Sequence, residues 1–225
     1  MVTAVEARRG MELLTTRAVR DGVRVLRGTA GSMQQRRAIM LEATPAIIIR
    51  YSEGTAALAA DYYESERGRY LQDGYQASLV IPDRVNEWRR DTAWAMEPID
   101  DDLLLTEKRL RDVIQLETAQ PYRHTVMGNV VIDERASSWR RIANPGACDF
   151  CRMLADRGLV YKRETVYFAA HPNCMCGVQP VFTQLGQQGV EGQTYGVDRY
   201  AGSRVAQTPE RRARLRAYLN AYYGN

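Results

Sequence analysis

The 225-residue sequence predicts a mainly α protein with a small α+β module near the C-terminus and an extended C-terminal arm ending in a helix. Three observations carry this. Apolar residues recur three or four apart through most of the first 145 positions, the spacing of one face of an α-helix. All four cysteines and one of the two histidines then crowd between residues 148 and 176, among short runs of β-type residues. Beyond 182 the chain turns rich in Gly and Gln, until a short, well-capped apolar pattern closes it. The expected organisation is a helical domain over 1–145, a Cys/His module over 146–182, and an arm with a terminal helix over 183–225.

Taken in order, Met11, Leu14, Ala18, Asp21 or Gly22, and Val25 form one apolar stripe with a polar interruption, and Gly28 and Gly31 end that helix. A second helix runs from Ser32 into Ala43. Pro45 breaks or kinks it, because proline lacks a backbone donor and clashes with the preceding turn. A third covers 51–70, with Ala56, Ala59, Tyr62 and Tyr63 near one face. Pro82 precedes a fourth, on which Val85, Trp88 and Ala95 align. Asp100, Asp101 and Asp102 stand before Leu103, where negative charge favours a helix start over a metal site. Pro121 suits the first turn of a further helix. Its stripe begins at Met127, Val130 and Val131 and resumes at Trp139 and Ile142, and Asn144-Pro145-Gly146 stops it.

From 147 the texture changes. Cys148 to Leu154 reads as a knuckle opening a short helix. Strand-like residues follow at 159–162, 165–168 and 178–182, with Pro180 confining the last to a sheet edge. Residues 183–207 suit an extended arm. Thr208 and Pro209 then start a helix whose apolar face is Leu215, Tyr218, Leu219 and Tyr222, a face suited to docking on a partner chain or a second copy.

Charge is uneven. Residues 1–50 hold nine arginines against four acids, whereas 51–105 hold five basic and twelve acidic residues. The basic ends suit an acidic partner or nucleic acid, but solvated helix faces are the simpler reading. Only Lys108 and Lys162 are lysines. The longest apolar runs, Ala56 to Ala60 and Val166 to Ala170, fall far short of the ~20 residues that span a bilayer. The first ten residues have no apolar core of a secretory signal, so the expected place of synthesis and assembly is a cytoplasm.

The chemistry is concentrated in Cys148-Asp149-Phe150-Cys151 and His171-Pro172-Asn173-Cys174-Met175-Cys176. Two short-spaced pairs separated by about 20 residues are what a tetrahedral zinc site uses, each pair wrapping one side of the ion. Cys148 and Cys151 supply one pair. The other pair comes from His171, Cys174 and Cys176; His171 with one of the two cysteines is the favoured choice, and spacing alone does not make it. Four protein ligands leave no open position, so the expected zinc is structural rather than catalytic. Disulfides, a thioredoxin-like redox pair and unpaired core cysteines are the competing readings. Reduced thiols are the rule without secretion, no βαβ pattern surrounds Cys148 and Cys151, and core cysteines do not gather in this way.

Other catalytic patterns are thin. There is no GxxxxGK[ST], GxGxxG or GxSxG motif. His124 falls on a helix, where a structural imidazole is the simpler reading. Tyr62-Tyr63 and Tyr222-Tyr223 read as core or interface.

The run Ser138-Trp139-Arg140-Arg141-Ile142-Ala143-Asn144-Pro145-Gly146-Ala147-Cys148-Asp149-Phe150-Cys151, with His171-Pro172-Asn173-Cys174-Met175-Cys176 and Gln179-Pro180-Val181-Phe182, resembles the C-terminal module of MuF-like minor capsid proteins of tailed bacteriophages. The version is that of phages of actinobacteria. Upstream, Ala57 to Arg67 resembles a helix of the N-terminal half of those proteins. The resemblance implies a virion protein of the capsid interior that associates with the portal and other capsid proteins and acts in head assembly or DNA ejection. The Arg-rich composition is compatible with packaged DNA nearby, self-association is a further option, and no membrane partner is expected. Homologues often carry the label capsid maturation protease, which is the alternative function. The residues offer no nucleophile–base pair to support that label.

Overall fold

The computed structural model describes residues 1–97, 102–158, 161–162, 168 and 170–182, with isolated positions 213, 217, 220 and 221. It is mainly α. Helix α1 (Ala4–Gly28) starts at a capping box in which Thr3 and Glu6 satisfy each other's backbone donors. It buries Ala7, Met11, Ala18, Gly22 and Leu26. Gly31, at φ 105°, turns the chain back. Helix α2 (Met33–Arg67) begins at a second capping box, Ser32 with Gln35.

Two expected helices are one here, because Pro45 lies inside α2 without ending it. Proline forfeits one hydrogen bond and crowds the preceding turn, a cost of ~3 kcal/mol. The buried Met40, Thr44 and Ile48 on either side hold the turn through packing against neighbouring helices. Pro121 behaves alike. It is interior to α4 (Leu103–Ile132) rather than in a first turn. That helix begins at Asp102, whose carboxylate accepts from the amides of Leu104 and Leu105. The helix-start reading of that aspartate therefore holds, and Asp100 and Asp101 lie outside the described residues. Helix α3 (Val85–Ala95) buries Trp88 and Ala95 as the spacing predicts.

Helices α1, α2 and α4 pack on one another, and α3 closes one end against α2 and α4. The end away from α3 does not stay helical. Helix α4 stops at Asp133, whose carboxylate takes hydrogen bonds from Tyr63 and from buried Arg67. Trp139 and Ile142, expected on the helix, lie instead in strand β1 (Ser138–Ile142). Five residues are too few for a period of 3.6 to be told from a period of 2, and strand pairing decides.

Strand β1 is central to a three-stranded antiparallel sheet of order β2-β1-β3, with β2 at Tyr161–Lys162 and β3 at Gly177–Val181. Pro180 sits in edge strand β3, opposite Trp139. Helix α5 (Asp149–Asp156) fills the connection between β1 and β2. One core runs from the helices into this module and includes Tyr62, Tyr122, Trp139, Cys151, Cys174 and Val178. The expected strand at 165–168 and the arm at 183–207 lie outside the described residues, Phe168 apart. Of the terminal helix, only Ala213, Ala217, Asn220 and Ala221 are described; they are helical and exposed.

Candidate metal centre

Two local structures deliver the cysteine and histidine side chains. Cys148 is the N-cap of α5, at the start of the helix where its sulfur lies beside the His171 ring. One turn on, Cys151 faces the core from α5. Across from them, the amide of Cys174 donates to the carbonyl of His171 at 3.0 Å and closes a tight turn. Asn173 takes the left-handed conformation in it, at φ 65°, which Asn tolerates better than most side chains. Each pair of donors therefore sits on one short, rigid unit.

The two units meet. Cys148 Sγ lies 3.0 Å and Cys151 Sγ 3.5 Å from His171 Nε2, and the sulfurs of Cys151 and Cys174 are 3.6 Å apart. Donor atoms of Cys148, Cys151 and His171 all fall within 4.8 Å of one another, as do those of Cys151, Cys174 and Cys176. Cys151 is common to both groups. All five candidates thus converge on one place, and all four cysteines are free. His124 and Asp102 belong to neither group among the described residues.

The surroundings orient the donors. Nδ1 of His171 is 2.7 Å from the carbonyl of Pro172, an arrangement that puts the proton on Nδ1 and leaves Nε2 free to ligate. Helix α4 grips the backbone of the second unit. Gln115 Nε2 donates to the Cys174 carbonyl at 3.2 Å, and its Oε1 accepts from the Asn173 amide at 2.6 Å. Arg123 donates to the carbonyls of Cys174 and Cys176. Met175 is held between Thr15 and Gln115. From β1, Arg141 donates to Cys151 Sγ at 3.7 Å, and its guanidinium lies 3.7 Å from the centre of the Phe168 ring.

Proximity of the sulfurs reshapes their acidity. The thiols of Cys151 and Cys176 donate to Cys174 and hold its thiol well below the usual range. Their own thiols are pushed up in return, Cys151 to about 12, first by its hydrogen bond with Cys174. Burial works against the Cys148 thiolate, but the Cys151 amide and the His171 ring outweigh it and bring the thiol down. Sulfurs this close cannot all ionise without a cation among them. A divalent ion supplies that charge, so metal binding and proton release are coupled here.

The donor set fits such an ion. Thiolates and an imidazole, with no carboxylate among them, suit a borderline-soft metal and not Ca²⁺ or Mg²⁺. The five residues read from the sequence are the five the fold gathers. Missed were the residues that position them: Gln115, Arg123, Arg141 and Asn144. Their one sequence signal was an arginine in the middle of an apolar stripe, Arg123 beside Tyr122 and Val126.

Among the described residues, no helix is long and apolar enough to cross a membrane. No curated protein and no solved structure matches the chain. A family model described as VG15 protein matches residues 2–203, a span that takes in α1 to α5, β1 to β3 and the whole Cys/His cluster. On that match the chain belongs to the VG15 protein family, a viral or phage gene protein family.

Proposed function

We propose that this protein is a structural minor capsid protein of the MuF-like kind, working at the portal and capsid interior of a tailed phage. Its Cys/His cluster holds one zinc ion that fastens the C-terminal module to the helical body. Membership of a phage family supports the setting. The MuF-like resemblance at 139–182 supports the finer role. The observation that carries the structural character of the site is its packing. Cys151, Cys174 and Cys176 are buried in the same core as Tyr62 and Tyr122 of the helices.

Four donors are assigned to the ion: Cys148, Cys151, His171 and Cys174. They form two matching units, Cys-x-x-Cys and His-x-x-Cys, linked by the 3.0, 3.5 and 3.6 Å contacts. Cys176 is set beside them, with its sulfur 3.6 Å from Asn144 Oδ1. Bound zinc supplies a cross-link between α5 and the 171–174 turn. The short strands β2 and β3 bury too little apolar area to replace that link.

Portal protein and other capsid proteins are the partners in this reading, with packaged DNA nearby. The test is co-purification from infected cells and from mature particles. A tagged chain should bring down portal protein and remain in purified virions. A chain that appears in infected cells but is absent from particles contradicts the role.

A further inference from the structure

Resting on the metal reading above, we propose that Arg123 is the counter-charge of the loaded metal site, a positioning residue through which α4 favours a site of net negative charge.

Arg123 is fully buried. Among the described residues no carboxylate pairs with it. Nη2 donates to the Cys174 carbonyl at 2.7 Å and Nε to the Cys176 carbonyl at 3.3 Å. Nη1 has no hydrogen-bond partner among the described residues. The guanidinium lies 4.8 Å from the centre of the Phe168 ring. A buried cation costs several kcal/mol unless an anion compensates it. The other buried arginine of the helical body, Arg67, has two aspartates, Asp73 and Asp133.

What faces Arg123 in place of a carboxylate is the sulfur cluster: Cys174, Cys176 and Cys151 favour its charge, and a second buried guanidinium at the cluster, Arg141 of β1, opposes it. Three thiolates and an imidazole around a divalent ion leave one net negative charge. Two thiolates with neutral donors leave none. A buried guanidinium on α4 with no carboxylate partner among the described residues therefore matches a three-thiolate site. The match is made through the carbonyls of the ligand turn, so the same side chain fixes both the turn and its charge. Lysine is a poorer clamp at such a place, because its point charge cannot span two carbonyls in one plane.

The test compares zinc affinity, by competition with a chromophoric chelator, in the full-length protein and in Arg123→Met, Arg123→Gln and Arg123→Lys. Melting temperatures are taken with and without metal. Loss of charge should weaken zinc binding about 10- to 100-fold in the Met and Gln variants, the range for residues that support metal ligands. Lys should lose distinctly less than Gln. A residue that only clamps the turn lowers the melting temperatures of both forms alike and leaves the affinity where it was, and that result overturns the proposal. If the Met variant does not fold, the Gln and Lys variants decide: equal affinities overturn the proposal, and weaker binding by Gln supports it. A wild-type chain that binds no zinc overturns the metal reading first, and this proposal with it.

Discussion

Cys148 Sγ and His171 Nε2 lie 3.0 Å apart although 23 residues separate them in the chain. Neither residue is held there by a helix or sheet common to both. The contact exists because α5 and the 171–174 turn present their donors to one point, with Cys151 shared between the two groups. That sharing ranks the ligands. Cys151→Ser should abolish zinc binding, and His171→Ala and Cys148→Ser should weaken it strongly. Cys176→Ser should keep close to one zinc per chain. Elemental analysis of the purified variants checks the order, and a Cys176 variant without metal contradicts the assigned set.

The module's own core hangs on one side chain. Trp139 is fully buried, stacks on Tyr161 with ring centroids 4.2 Å apart, and pairs with both edge strands. Trp139→Ala should cost about 3–5 kcal/mol, as large cavities in well-packed cores do. Denaturant unfolding of the zinc-loaded protein measures it. A loss below about 1 kcal/mol contradicts the packing described.

Acid should loosen the junction of α1 and α4. The Glu107 carboxyl is held below its ordinary value, first by its hydrogen bond from Arg27 and then by Arg111. A carboxyl with a lowered folded value stabilises the fold above its unfolded value and loses that contribution as pH falls through the folded one. The contribution is present above the ordinary value of 4.5 and disappears below it. Arg27 and Arg111 are largely exposed, so each pair is worth at most about 1 kcal/mol. Glu107→Gln should flatten this part of the pH–stability curve and leave neutral stability lower by about that amount. An unchanged acid limb contradicts the assignment.

The protease label attached to MuF-like homologues makes an opposite prediction to the structural role. Mixed with major capsid or scaffold protein, the purified chain should cleave neither. Reproducible cleavage abolished by a Ser, Cys or His substitution contradicts the structural reading.

The sequence carried the helical body and the donor set because both are local. A stripe such as Ala56, Ala59, Tyr62 and Tyr63 needs only the helical period to be read, and Cys-x-x-Cys needs only its spacing. Pro45 and Pro121 misled because their cost is local while the compensation is not: buried residues of the same helix around each proline pack against other helices. Trp139 misled for the same reason, since its strand partners Tyr161 and Pro180 stand 22 and 41 positions on. The residues behind the ligands were illegible from spacing altogether. Gln115 and Arg123 reach the cluster across more than 50 residues of chain.

Metal content of the full-length protein, read beside the state of its four thiols, tests the central claim most directly. The protein purified without added chelator should contain about one zinc per chain. Its cysteines should resist alkylation until the ion is removed, and removal should melt the module. A metal-free protein with freely reactive thiols, or with its cysteines joined in disulfides, contradicts the account.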